Sequence, residues 1–143
     1  MNTLQKDIIY KVNAQITAKE YIDLLSQTSL GARRPIDDIQ CIDGMLKNSN
    51  LIVSTWSGSN LVGISRSVTD YYYGCYLSDL AVSEKFQKYG IGKKLIDVTG
   101  EQLQDDCKII LLAAPQAVGY YPKIGFDQHP SAWVKKLRNI KIS

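Results

Sequence analysis

The chain has 143 residues, 45% of them apolar, with a formal net charge of +3 and a pI of about 8.7. This length supports one domain with a hydrophobic core and is too short for two, so we expect a single domain over residues 1–143. Acidic and basic residues alternate along the chain up to a basic tail, which argues against a nucleic-acid partner. The tail comprises Lys135, Lys136, Arg138 and Lys141.

The cysteines give no sign of a metal site. Cys41, Cys75 and Cys107 lie far apart, without the close pairs that bind zinc, and we expect free thiols and no metal. The N-terminal stretch lacks the form of a signal peptide, and no apolar run approaches membrane-spanning length. We therefore expect a cytoplasmic protein in a reducing compartment, with no membrane partner.

The first third of the chain predicts one strand and two helices. Residues 7–12 (DIIYKV) are rich in β-branched and aromatic side chains, as in a strand. Thr17 and Glu20 have the spacing of a capping box, so a helix is expected to begin near Ala18 and to end between residues 28 and 31. Asp37, after Pro35, is expected to cap a second helix. The apolar face of that helix comprises Ile39, Ile42, Met45 and Leu46.

Two adjacent arginines lie between these helices, in residues 31–35 (GARRP). Arg33 and Arg34 belong either to a solvated loop or to a substrate-facing loop that grips a carboxylate or phosphate, because guanidinium groups bind such anions through paired hydrogen bonds. The sequence leaves both interpretations open.

The remaining segments predict a mixed α/β fold. Residues 51–56 and 61–69 are expected to be strands joined by a turn at 57–60, and residues 70–74 form a second turn. Residues 76–82 are the central strand, and the helix after it has an apolar stripe. The run 108–114 (KIILLAA) predicts a strand buried on both faces. Residues 117–123 predict a short helix or turn. Phe126 and residues 132–137 are expected to supply the last strands, as an antiparallel pair. The stripe comprises Ile91, Leu95, Val98 and Leu103.

Residues 77–95 (LSDLAVSEKFQKYGIGKKL) combine an apolar strand, a polar turn and a helix start. Gln87, Gly90 and Gly92 lie at that start, where unpaired backbone N–H groups and the helix dipole favour an anion. A dinucleotide fingerprint needs a third glycine where this chain has Leu95. A triphosphate loop needs serine or threonine where it has Lys94.

The pattern Gln-x-x-Gly-x-Gly after Leu-Ala-Val resembles the GNAT superfamily of acyl-CoA-dependent N-acyltransferases. Residues 117–126 (AVGYYPKIGF) resemble a second family pattern, Ala-x-x-Phe-Tyr-x-x-x-Gly-Phe. The resemblance covers roughly the last two thirds of the chain. It implies one mixed α+β domain: a mostly antiparallel sheet, flanked by helices, in which two central strands splay apart to admit acetyl-CoA.

The resemblance also implies which residues bind acetyl-CoA. Backbone N–H groups of the glycine turn would bind its pyrophosphate, and the strand before that turn would pair with its pantetheine arm. Ala114 stands where the family often has asparagine, so one polar contact to the arm is missing, and Gln116 is the candidate replacement. The implied residues are Leu80, Ala81, Val82, Gln87, Lys88, Tyr89, Gly90, Ile91, Gly92, Lys93 and Lys123.

Tyr121 falls where the family has its general acid. A phenol, with an ordinary pKa of about 10, keeps its proton at neutral pH and can pass it to a departing thiolate. Pro122 disfavours helical geometry at Tyr121. A tyrosine beside a Gly-Phe turn often has only a packing role. The glycine motif upstream, at residues 87–92, favours the catalytic role for Tyr121.

Asp79 is the candidate general base. A carboxylate in a buried strand has a raised pKa unless it is paired, and a base is useful near the reacting amine. Alternatively Asp79 only ties segments together, with a water chain taking the proton; a bulge in this strand would change the direction in which Asp79 points. Arg66, Asp70 and Tyr72 are candidates for substrate recognition, with surface ion pairing as the alternative for Arg66 and Asp70.

These residues together predict direct transfer of an acetyl group from acetyl-CoA to a primary amine of a small molecule or peptide. Two alternatives stay open: a non-catalytic module that binds or senses acyl-CoA, and a basic protein that binds nucleic acid with strong salt dependence. An apolar sheet edge near the C-terminus favours a homodimer.

Overall fold

A computed structural model describes residues 7–137 of the chain. The chain divides into two compact units, Met1–Leu112 and Ala113–Ser143. The first contains a five-stranded sheet in the order β1-β2-β3-β4-β5, antiparallel except for the parallel β4–β5 pair. The predicted mixed fold is confirmed. Its strands are β1 Ile8–Val12, β2 Leu51–Ser57, β3 Asn60–Thr69, β4 Gly74–Val82 and β5 Lys108–Ile110.

Three α-helices flank the sheet: α1 Ala18–Leu25, α2 Ile39–Lys47 and α3 Ile91–Glu101. The capping box of α1 is confirmed, because Thr17 and Glu20 bond reciprocally. Residue Asp38, rather than the predicted Asp37, caps α2 by accepting the N–H of Cys41 at 3.1 Å. Among residues 7–137, no helix is long and apolar enough to cross a membrane.

The hydrophobic core has two parts. One lies under α1 and α2, and the other lies under α3. Of the predicted apolar face of α2, Ile42 is buried and Met45 and Leu46 are partly buried, whereas Ile39 at the first turn is 60% exposed. The first part contains Ile16, Tyr21, Leu24, Leu25, Ile42, Ile52, Trp56, Leu61, Ile64 and Ala81. The second contains Val53, Val62, Phe86, Ile91, Leu95 and Val98.

The strand β5 differs from its prediction. It spans only Lys108–Ile110, pairs with β4 alone, and exposes 56% of Ile110, so the run 108–114 is not a strand buried on both faces. Its position at the end of the sheet order explains the error, since a continuous apolar run does not reveal how many neighbours a strand has.

Residues 113–137 of the second unit contain two 3-10 helices, Pro115–Ala117 and Tyr121–Ile124. Tyr121 begins the second one despite Pro122, because a proline in the first helical turn loses no intrahelical hydrogen bond. The predicted antiparallel pair at Phe126 and residues 132–137 is wrong: the described residues there form no strand, and Trp133 is 92% exposed. Propensity alone does not make a strand without a partner to complete its ladder.

Gly63 on β3 lets the start of α3 approach the sheet. A Cβ atom there would lie 3.2 Å from the Thr55 Cβ and 3.3 Å from the Ile91 Cγ2, both closer than ordinary contact. Because Ile91 is the first residue of α3, this close approach fixes where the helix begins relative to β3.

We predict that Gly63→Ala lowers the free energy of unfolding by about 1–3 kcal/mol, since the added methyl overpacks this contact. Gly100→Ala is the matched control on α3, where a Cβ meets nothing within 4 Å. It is expected to stabilise the protein by up to about 1 kcal/mol. Urea denaturation measures both, and equal stabilities of the two variants would contradict the prediction.

Candidate active site

Asp79 lies at the centre of a buried polar group that we call the Asp79 cluster: Tyr21, Arg34, Arg66 and Asp79. The Asp79 side chain has no solvent exposure. Its Oδ1 accepts the Arg34 Nε at 2.7 Å, and its Oδ2 accepts the Arg66 Nε at 2.6 Å together with the Tyr21 hydroxyl. Both carboxylate oxygens are therefore occupied by donors from other parts of the fold.

The charge state of Asp79 follows from these partners. Burial by itself raises the pKa of Asp79, but the hydrogen bond and charge of Arg66, the Tyr21 hydroxyl and the charge of Arg34 together hold the pKa below its usual value. The same burial and the neighbouring carboxylate raise the pKa of Tyr21, so its hydroxyl stays a donor. Asp79 is thus ionised at neutral pH, with both oxygens already accepting hydrogen bonds, which argues against the predicted role of general base.

The cluster also corrects the predictions for Arg34 and Arg66. Arg34 belongs neither to a solvated loop nor to an open anion grip, because its Nε and Nη2 are committed to Asp79 and to the Ser78 carbonyl. Arg66 is buried, with its three nitrogens bonded to Asp79, Ser49 and Ser78. Neither guanidinium is free to recognise a substrate.

A β-bulge lies in β4 beside this cluster. Arg66 is opposite Asp79, whereas Ser67 is opposite Leu77, so Ser78 is an extra residue on β4. The anticipated bulge is confirmed. Because a bulge bends the strand and increases its twist, it re-aims the residues that follow.

The end of β4 after the bulge has an open edge. Its pairing with β5 stops at Tyr76 and Ile110, so β4 continues to Val82 without that neighbour, as the predicted splay requires. The N–H of Ser83 donates to the Val62 carbonyl at 2.8 Å, which makes Gly63–Val82 a non-hydrogen-bonded pair of the antiparallel ladder. The backbone groups of Leu80 and Val82 consequently point away from β3, toward the side that β5 has left. We call residues 80–82 the open β4 edge.

The open edge leads directly into the glycine turn, residues 83–92. The Gln87 side chain folds back and donates from Nε2 to the Val82 carbonyl at 3.0 Å. Gly90 caps α3 with a φ of 77°, a left-handed conformation that suits glycine, and no side chain caps the helix there. The first N–H groups of α3 are therefore not taken by a side-chain cap, as an anion site requires.

The predicted lysines of this turn lie on the surface. Lys88 and Lys94 are exposed, and Lys93 forms a surface ion pair with Asp97, Nζ to Oδ2 at 2.9 Å. Tyr89 is half-buried and packs against the core under α3. The turn thus combines backbone donors with positive charge on its exposed surface.

Tyr121 lies in an aromatic group of the second unit. Its ring contacts Tyr120 and Phe126 edge-on, with centroids 5.2 and 5.4 Å apart. Burial, with a smaller contribution from Tyr120, raises the pKa of Tyr121 above its usual value. The hydroxyl therefore keeps its proton at neutral pH, as a general acid must. Lys123 follows on the exposed side of the same turn.

The remaining predicted substrate residues are Asp70, Tyr72 and Arg33. Asp70 shapes the turn between β3 and β4, because its Oδ1 accepts the N–H groups of Tyr73, Tyr72 and Gly74 at 2.8–3.1 Å. These bonds, that of Tyr73 first, lower the pKa of Asp70. The prediction that Asp70 recognises substrate is not supported. Tyr72 is 69% exposed, and Arg33 is exposed.

Sequence reasoning missed Tyr21 and Ser78. Helical spacing places Tyr21 on the buried side of α1 with Leu24 and Leu25, which predicts a core position for its ring but no partner for its hydroxyl. Ser78 has no pattern that marks it as a bulge. The available signal was Asp79 itself, since a carboxylate in an apolar strand must find donors elsewhere in the chain.

Comparison with known proteins identifies the family. Residues 28–137 match the family model described as an acetyltransferase (GNAT) domain. The chain belongs to the GNAT family. This makes the protein an acyltransferase, in agreement with the resemblance in its sequence. A relative from Pyropia yezoensis, an uncharacterized N-acetyltransferase called ycf52, is 30% identical over 131 residues, 87% of this chain and 73% of the relative.

Solved structures agree with this fold. A GNAT family acetyltransferase from Streptococcus pneumoniae superposes with a TM-score of 0.71 at 21% identity, over 90% of this chain and 98% of that one. An aminoglycoside N-acetyltransferase solved in complex with CoA has a TM-score of 0.67 at 14% identity, over 90% and 93% of the two chains. At these identities the likeness concerns the fold alone.

We predict that Asp79→Asn lowers the free energy of unfolding at pH 7 by about 3–5 kcal/mol, because it leaves Arg34 and Arg66 without their shared anion. The pKa of Asp79 is lower in the folded protein, so its stabilising contribution is present above an unfolded pKa of about 4 and is lost as the pH falls through the folded pKa. The variant and wild type should therefore converge at acid pH, as urea denaturation across pH can measure.

The control for this prediction is Asp23→Asn. The Lys19–Asp23 pair has the same 2.7 Å separation as Arg34–Asp79 but lies on the surface. Its loss should leave stability nearly unchanged. Equal effects of the two substitutions would contradict the importance of burial.

Proposed function

We propose that this protein transfers an acetyl group from acetyl-CoA directly to a primary amine of a small molecule or peptide. The observation that carries the proposal is the open β4 edge, which runs straight into an uncapped helix start at Gly90. The backbone groups of Leu80 and the Val82 N–H face the open side, and the Val82 carbonyl there accepts the Gln87 side chain. Both units, residues 1–143, would act as one acetyltransferase domain, a proposal supported by a family match that runs through both.

Acetyl-CoA fits the chemistry of this edge. Its pyrophosphate needs several donors, which N–H groups between Lys88 and Lys93 can supply, with Lys88 and Lys94 adding charge. The Gln87 N–H, which the sequence included in this set, donates to the Glu84 carbonyl. Its amide-bearing arm needs main-chain partners, and Leu80 and Val82 direct theirs to the open side of β4. The neighbour solved in complex with CoA supports acyl-CoA as the donor for this fold. Bound there, acetyl-CoA supplies an activated acyl group, the thioester.

The transfer requires one bond to form and one to break. The amine nitrogen bonds to the acetyl carbon, and the carbon–sulfur bond breaks as the electron pair goes to sulfur. A backbone N–H of the open β4 edge polarises the carbonyl. The role of Tyr121 is supported by its position in the family pattern of residues 117–126: it gives its proton to the departing sulfur and regains one from water. The proton lost by the amine goes to water, since Asp79 is held as a paired carboxylate.

The acceptor, the choice of acetyl over longer acyl groups, the cytoplasmic location and a homodimer stay predictions from the sequence. The CoA-bound neighbour acts on aminoglycosides, which supports a small-molecule amine as one class to test. A peptide amine is the other class.

We predict that Tyr121→Phe lowers turnover on the order of tenfold or more while acetyl-CoA still binds, because the ring stays and only the proton donor is lost. Tyr120→Phe removes a hydroxyl from the adjacent ring and is the matched control, with turnover expected near that of wild type. Steady-state release of free thiol measures turnover, and calorimetry measures binding. Unchanged turnover in Tyr121→Phe would remove this residue from the mechanism.

A second experiment separates the enzyme from the non-catalytic acyl-CoA-binding alternative. Wild-type protein is incubated with acetyl-CoA and a panel of amines that includes aminoglycosides, monoamines and peptides with a free N-terminus, and thiol release is followed. Thiol release that depends on an amine supports the enzyme. Binding of CoA without thiol release from any amine supports the binding module.

A further inference from the structure

Arg34 connects the loop between α1 and α2 to the bulge of β4. Its Nε lies 2.7 Å from the Asp79 Oδ1, and its Nη2 lies 2.8 Å from the Ser78 carbonyl oxygen. The remaining nitrogen, Nη1, donates to the Arg33 carbonyl at 2.9 Å, which fixes the guanidinium against its own loop. One planar group therefore holds two successive residues of the bulge.

Arg66 holds the same two residues through different atoms. Its Nε lies 2.6 Å from the Asp79 Oδ2, and its Nη2 lies 2.9 Å from the Ser78 Oγ. Its Nη1 donates to the Ser49 Oγ at 2.9 Å, which itself donates to the Met45 carbonyl at 2.6 Å. The bulge is thus tied by two guanidinium forks to β3, to the end of α2 and to the loop before α2.

The position of this double hold matters for the proposed reaction. Tyr76 is the last β4 residue paired with β5, and the open β4 edge begins at Leu80. Ser78 and Asp79 lie between them, where β4 has lost its support from β5. The direction of the open edge therefore depends on how the bulge is held.

We propose that Arg34 is a positioning residue: by gripping Ser78 and Asp79 together, it fixes the bulge and so aims the open β4 edge at the acetyl donor. This inference rests on the proposed function. Arg34 acts through main chain and touches neither reacting group, and its site on the loop before α2 makes that loop part of the active-site scaffold.

Arg34 is the most exposed of the three charged members of the Asp79 cluster, so we expect that it can be substituted without loss of the fold. Its side chain is 21% exposed, against 7% for Arg66 and none for Asp79. After its removal Asp79 keeps the Arg66 Nε and the Tyr21 hydroxyl. Arg34→Lys keeps a positive charge near Asp79 but has no fork that spans both Asp79 and the Ser78 carbonyl.

The test compares wild type, Arg34→Lys and Lys19→Ala. Lys19 makes a 2.7 Å ion pair with Asp23 on the surface and serves as the matched control. For Arg34→Lys we expect kcat to fall on the order of tenfold, the value of a lost charged hydrogen bond, with a urea midpoint close to wild type. Amide exchange over residues 77–82 of the free protein should be faster. Lys19→Ala should match wild type in all three measurements.

The exchange measurement needs no substrate, so it separates this inference from the proposed function. Wild-type exchange and wild-type kcat in Arg34→Lys overturn the positioning role. A fall in kcat that only parallels a lower urea midpoint, with exchange faster throughout the protein, shows a general structural role and also overturns it. If wild-type protein releases no thiol and binds no CoA, the proposed function fails, whereas faster exchange confined to residues 77–82 still supports the hold on the bulge.

Discussion

A single buried charge organises the first unit of this protein. The Asp79 side chain has no contact with solvent, and an isolated carboxylate in that position would cost many kcal/mol. Donors from α1, from the loop before α2 and from β3 must therefore converge on it. The requirement to satisfy Asp79 joins α1, the loop before α2 and β3 to the bulge of β4.

The proposed acetyl-CoA site is built largely from main-chain groups. A short β5 releases one side of β4, the bulge sets the direction of the released strand, and Gly90 starts α3 without a side-chain cap. Such a site depends on backbone geometry more than on side-chain identity. This is compatible with the same fold at 21% identity in the Streptococcus pneumoniae neighbour.

The surroundings shift the pKa values of two titratable side chains in opposite directions. Burial, with a smaller contribution from Tyr120, raises the pKa of Tyr121, whereas the partners of Asp79, Arg66 foremost, outweigh its burial and lower its pKa. A protonated phenol suits a donor to a leaving thiolate, whereas the Asp79 carboxylate is buried and already accepts from Arg34, Arg66 and Tyr21. The proposed mechanism therefore uses a side-chain acid, Tyr121, and no dedicated side-chain base.

The sequence by itself determined the local features: the capping box at Thr17, the hairpin after β2, and the glycine turn that starts α3, which together with Tyr121 indicated the family. Each depends on residues a few positions apart. The partners of Asp79, 45 and 58 positions away at Arg34 and Tyr21, and the single neighbour of β5 were decided only by the tertiary structure. Local patterns report a residue's preference for helix, strand or turn, whereas the pairing of a buried charge and the edge of a sheet depend on which distant segments meet.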